Sequence, residues 1–141
     1  MTETKPKPKT IFILLILLAF QALSGLFGGA ALVLDPSGSS IRLPLSLLEG
    51  SPFNNFLIPG IILFLVLGIF PLIIFSLLRK KDNRAWFGSL VVGLALLIWI
   101  GVEITMIGYQ SQPPLQLIYG LVGFFILIFT LLPSVKSYLL S

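Results

Sequence analysis

This sequence predicts an all-α, polytopic membrane protein: an antiparallel bundle of four transmembrane helices, with a short amphipathic outer segment between helices 1 and 2. Three observations predict it. Hydrophobic residues make up 57% of the 141 and charged residues only 10%, far from the balance with which a soluble chain covers its surface. Four apolar runs, about 11–34, 56–78, 85–109 and 115–132, approach or exceed the length needed to cross a hydrocarbon core of about 30 Å. Eight of the nine Lys and Arg residues fall where such a topology would gather them on one face. The length suits one domain, residues 11–132, with a tail at each end.

Residues 1–10, MTETKPKPKT, are polar, Pro-interrupted and basic, and read as a disordered cytoplasmic tail. Ile11 to Leu34 follows with Gln21 and Ser24 as its polar members. A cleaved signal peptide is the competing reading, because a positive stretch precedes the run and Ala22-Leu23-Ser24 supplies small residues. The run continues ten residues beyond Ser24, to Leu34, as a membrane span would. Gln21 is expected to be a buried residue that hydrogen-bonds another helix.

Asp35-Pro36-Ser37-Gly38-Ser39-Ser40 is rich in turn-forming residues and should stop the first helix. Ile41 to Gly50 alternates apolar and polar residues and contains Pro44, so it is too broken to span. It reads as an outer segment with Ile41, Leu43, Leu45, Leu47 and Leu48 facing the bilayer and Arg42 and Glu49 facing water. Ser51-Pro52 has the form of a helix start, Ser at the cap and Pro in the first turn. In the second span Pro59-Gly60, and then Gly68 with Pro71, each predict a kink, by simple bending or by lining a ligand path.

The most basic stretch, Arg79 to Arg84, precedes the third span, Ala85 to Tyr109, whose only ionisable side chain apart from Tyr109 itself is Glu103. Trp86 and Tyr109 stand where aromatic rings anchor the two membrane surfaces. Gln110 to Pro114 is read as a short outer turn, Leu115 to Leu132 as the fourth span, and 133–141 as a cytoplasmic tail. The N-terminal tail carries three cations, the 79–84 loop four and the C-terminal tail one, against Arg42 alone outside. Both termini are therefore expected in the cytoplasm.

Packing in lipid depends on close backbone approach and on polar contacts, because lipid tails are as apolar as Leu. Gly25 and Gly29 share a face of helix 1, Ser89 and Gly93 a face of helix 3, and Gly120 with Gly123 permit close contact of helix 4. Bundle packing is the simpler reading of these residues, and homodimerisation the other.

Glu103 needs an account, since a carboxylate inside an apolar span must be paired, hydrated or protonated. Trp99 lies one turn away on the same face, and Tyr119 is expected at a similar depth. Arg42, Asn54 and Asn55 at the outer surface are further partners for a polar pocket. That pocket is read as a polar clamp in which Glu103 ties helices 3 and 4 to the outer segment, as a binding site for a lipid headgroup or amphipathic ligand, or as a proton-coupled transport site.

Function classes narrow by absence. The sequence has no Cys and no His, which removes thiol and imidazole catalysis, disulfide frameworks and the usual zinc ligand sets. One carboxylate without a second acid, a metal set or an activated nucleophile does not make an active site, so neither enzyme, cofactor nor metal is expected. The basic residues flank spans and do not form a nucleic-acid face. The expected partners are the lipid bilayer and a larger membrane complex or a second copy of the chain.

The stretch Gly25 to Gly60, with Asp35-Pro36-Ser37-Gly38 and Ser51-Pro52-Phe53 as its most specific pieces, followed by the Trp99/Glu103 helix, resembles a widespread group of small uncharacterised four-helix bacterial membrane proteins, loosely DoxX-like. The resemblance covers about residues 11 to 132. It implies an architecture and a bacterial inner membrane, and it brings no activity. The expected function is structural, accessory or lipid-binding. The alternative is a small oligomeric proton-coupled transporter using Glu103, although small multidrug exporters carry their acid in the first helix. A lipid-modifying enzyme with Glu103 as acid or base is a third possibility that lacks a partner group.

Overall fold

The computed structural model describes residues 7–108 and 114–140, and every regular element among them is helical. Helix α1 is Lys9–Leu34. Two 3₁₀ turns, Ser39–Ile41 and Leu45–Leu48, occupy the connection that follows. Then come α2 (Leu57–Phe64), a π-helical turn (Leu65–Ile69) and α3 (Phe70–Arg79). α4 is Arg84–Ile107, α5 Leu115–Leu131 and α6 Pro133–Leu140. Lys9–Leu34, Leu57–Arg79 and Arg84–Met106 are each long and apolar enough to cross a membrane, and α5 with α6 makes a fourth if the bent pair is one span. Tyr109 and the turn expected at 110–114 lie outside the described residues, except Pro114, as does most of the N-terminal tail.

α1 shows why these sequences pack as they do. Ile11, Leu14, Leu18, Gln21, Gly25, Gly29 and Leu32 recur every three or four residues, and all are buried. The other face bears Phe12, Ile16, Phe20, Leu23 and Phe27, all exposed, with Phe27 at 74%. In water such a face would be a liability; against lipid tails it needs no cover. α1 touches α2, the π turn and α3 on one side and α5 on another, while α4 touches α3 and α5.

The glycines set how closely the backbones approach. A Cβ on Gly25 would overlap the Leu67 carbonyl, and one on Gly29 would stand 2.6 Å from the Phe64 Cα. Gly60 meets the Leu32 side chain in the same seam. Between α4 and α5, Cβ atoms on Gly93 and Gly123 would come within 3.1 and 3.2 Å of each other's carbonyl oxygens. Ser89 is buried, whereas a Cβ on Gly120 would make only an ordinary contact, 3.9 Å to Ile100.

The Leu57–Arg79 helix changes its hydrogen-bond pattern midway for an identifiable reason. Pro71 has no N–H to give the Leu67 carbonyl four residues back, so an α-helical bond is missing there. The backbone widens into the π turn, and the Gln21 side chain on α1 donates its Nε2–H to Leu67 O at 3.0 Å. Pro59 sits in the first turn of α2, where its missing N–H removes no helical bond.

Ser51 does not start a helix. Its hydroxyl donates to the Leu48 carbonyl at 2.7 Å and accepts the Phe53 N–H at 3.2 Å, closing the preceding turn. α2 begins at Leu57 instead, whose N–H is taken by Asn55 Oδ1 at 3.0 Å. The connection from α1 is drawn together by Asp35, which accepts the Ser37 and Ser39 hydroxyls at 2.6 and 2.7 Å. Those two donors hold the Asp35 carboxyl below its ordinary range. Leu48 and Phe56 bury themselves against Leu32 in a small separate core, with Ile41 and Leu43 packed on it. Arg42 and Glu49 are exposed, and so is Leu45.

Residues 133–140, expected as a tail, form a helix. Leu132 takes the extended conformation imposed on a residue before proline, and Pro133 opens α6 at 65° to α5. Val135 and Leu139 are buried in the main core. Lys136 lies over the Trp86 ring at 5.2 Å and Lys81 over Tyr138 at 4.5 Å, so α6 is pinned against the start of α4. We call this the basic end of the molecule.

Candidate functional site

The opposite end of α4 carries Glu103. Beyond Ile100 the helix leaves the main core, and Gly101, Val102, Ile104 and Thr105 are exposed. Glu103 itself is half-buried, on the face turned toward α5. α4 ends at Gly108, which takes φ +75°, a conformation that glycine adopts without penalty. Its N–H closes the last turn on Ile104 O at 2.8 Å, and its carbonyl is left pointing at the start of α5.

Gln116, 3% exposed in the first turn of α5, answers both groups. Its Nε2 donates to Glu103 Oε1 and to the Gly108 carbonyl, each at 3.2 Å. The Trp99 indole, one turn back along α4, lies close enough to act on the Glu103 carboxyl. A buried amide thus joins the end of α4 to the beginning of α5 through one carboxylate and one backbone carbonyl.

Of the residues expected to meet Glu103, the structure brings Trp99 to it. Tyr119 stays nearby but turns its ring elsewhere, stacking on Phe20 of α1 with centroids 5.6 Å apart and planes 21° from parallel. That contact ties α5 to α1. Arg42 sits exposed in the left-handed conformation at φ 59°, Asn54 is exposed, and Asn55 caps α2. None of these three is joined to Glu103 among the described residues. The Leu45–Leu48 turn does approach α4.

Gln116 was not foreseen. It follows Pro113-Pro114 by two residues and reads as the rim of a turn. Its signal was the depth match: a polar amide in the first turn of one span opposite a carboxylate in the last turns of the preceding one.

No protein-family model, curated protein or solved structure matches this chain. The chemistry of the site must therefore speak for itself. Glu103 accepts a hydrogen bond from the Gln116 amide, a donor that cannot give up its proton near neutral pH. Among the described residues no three carboxylates gather to hold a cation. The arrangement can bind helices together, and it can respond to whatever reaches the exposed part of the carboxylate.

Proposed function

We propose that this chain is a small non-enzymatic integral membrane protein of structural, accessory or lipid-binding type. In this reading α1, α2–α3, α4 and α5 are four antiparallel spans of one bundle, and α6 lies along the membrane surface as a foot. The 41–50 segment is the amphipathic outer cover. The bias of eight cations to one supports cytoplasmic termini, and the resemblance to small bacterial membrane proteins supports the inner membrane.

The observation that carries the reading is the bond from Gln116 to Glu103 and Gly108. The carboxylate is engaged by a donor of its own chain, so a clamp accounts for it. Its partial exposure favours one second reading, a small oligomeric proton-coupled transporter that uses Glu103.

Glu103→Gln in liposomes under an imposed pH gradient separates the two. The clamp predicts a change in thermal stability or assembly and no change in proton flux. Loss of flux with assembly intact would replace it by the transport reading. Native mass spectrometry of the gently released protein adds the partner: a retained lipid or larger protein supports the accessory role, and a bare dimer counts against it.

A further inference from the structure

We propose that the groove formed by Phe75, Ser76, Arg79 and Lys80 at the basic end of α3 seats the phosphate of an anionic phospholipid headgroup. The proposal rests on the reading of α3 as part of a span.

Cations at this end fall into two sets. Arg84 is held by Asp82 at 2.8 Å, Lys81 lies over Tyr138 at 4.5 Å, and Lys136 lies over Trp86 at 5.2 Å. Arg79 and Lys80 are exposed, and among the described residues neither makes a side-chain hydrogen bond, a direct ion pair or a ring contact; Lys80 acts on Asp82 only through space, as the least of the influences that lower that carboxyl. These two line a groove of about 330 Å³, together with Phe75 and Ser76. Asp82, the nearest carboxylate in sequence, is already engaged by Arg84 through both oxygens.

The shape of the site selects a lipid over free phosphate. Leu72, Phe75, Ser76 and Arg79 are spaced to share one face of α3. Leu72 is 43% exposed, so an apolar strip runs from the membrane side directly into the cationic groove. An acyl chain follows Leu72 and Phe75, while the Arg79 guanidinium presents a planar fork to the phosphate oxygens and Ser76 a hydroxyl donor. Lys80 adds a point charge at the headgroup level.

The test uses the full chain in phosphatidylcholine vesicles containing a minor share of phosphatidylglycerol, washed at alkaline pH and then released for native mass spectrometry. Wild type should retain one phosphatidylglycerol. Arg79→Gln with Lys80→Gln should lower that occupancy on the order of ten-fold. Lys81→Gln with Lys136→Gln removes the same charge from cations that already have ring partners, leaves Asp82 engaged by Arg84, and should leave occupancy unchanged. Equal retention in all three, or equal loss in both double variants, overturns the groove as a site. Displacement by millimolar inorganic phosphate overturns the assignment to a lipid. Loss of the wild-type chain from washed vesicles overturns the membrane reading and the proposal with it, a failure distinct from stable insertion without selective retention.

Discussion

At the basic end of α4 and α5 the two backbones meet directly, whereas at the Glu103 end they meet through side chains. Near the basic end Gly93 and Gly123 approach each other's carbonyls, the Trp86 indole donates to Thr130 O at 2.9 Å, and α6 closes the gap below. At the far end the core has ended by Ile100, and the contact passes through Gln116 to Glu103 and Gly108 at 3.2 Å. One end is closed by shape and the other by a hydrogen bond to an ionisable group. Seals of the first kind are insensitive to conditions, and those of the second kind respond to them.

The largest expected effect lies in the shape-closed region. Gly123→Leu, or Gly93→Leu, forces a branched side chain into backbone and should destabilise the protein by about 2–3 kcal/mol. Thermal unfolding in detergent, followed by tryptophan fluorescence, checks it. Gly120→Leu, in an ordinary contact, should have a much smaller effect, and an equal one would show that the α4–α5 seam is not where the backbones touch.

Gln21→Leu comes next. It leaves the Leu67 carbonyl without its donor, and the loss should be about 1 kcal/mol, as for other polar contacts between helices in lipid. Restoring the backbone donor with Pro71→Ala should make the Gln21 substitution less harmful. A purely additive double variant would argue against proline as the cause of the π turn.

Much of this architecture was legible in the chain, and the reasons are physical. Long apolar runs can only be buried or in lipid, so the long helices capable of crossing a membrane were plain. Gly25 and Gly29 could be placed because small residues four apart must share a helix face. Pro71 announced a break in the α-helical hydrogen-bond ladder, since a missing N–H is a property of the residue itself. Less local features were not legible. Gln21 was expected to bond another helix, but which carbonyl it meets depends on how two helices register. Tyr119 turns to Phe20, 99 residues away in sequence, for reasons of tertiary packing. α6 was hidden because Pro133 both ends one helix and begins the next, and two buried residues, Val135 and Leu139, make no readable periodicity.

The smallest effect is at the 79–84 loop. Asp82 accepts the Arg84 backbone N–H at 2.9 Å and its side chain besides, and these contacts hold the carboxyl at about 2, below its ordinary 3.8. A carboxyl lowered on folding stabilises fully above its unfolded pKa, and the contribution fades as pH falls through the folded one. The loop should therefore be indifferent to pH above about 4 and loosen between there and about 2. The Arg84 amide resonance in detergent should report this, and Asp82→Asn should abolish the dependence.

The clamp at the far end is tested most directly by a double-mutant cycle between Glu103→Gln and Gln116→Leu, with thermal stability and proton flux read on the same liposome preparations. The account predicts a favourable coupling of about 0.5–1.5 kcal/mol between the two positions and unchanged flux in every variant. Additive effects on stability, accompanied by loss of flux in Glu103→Gln, would contradict it.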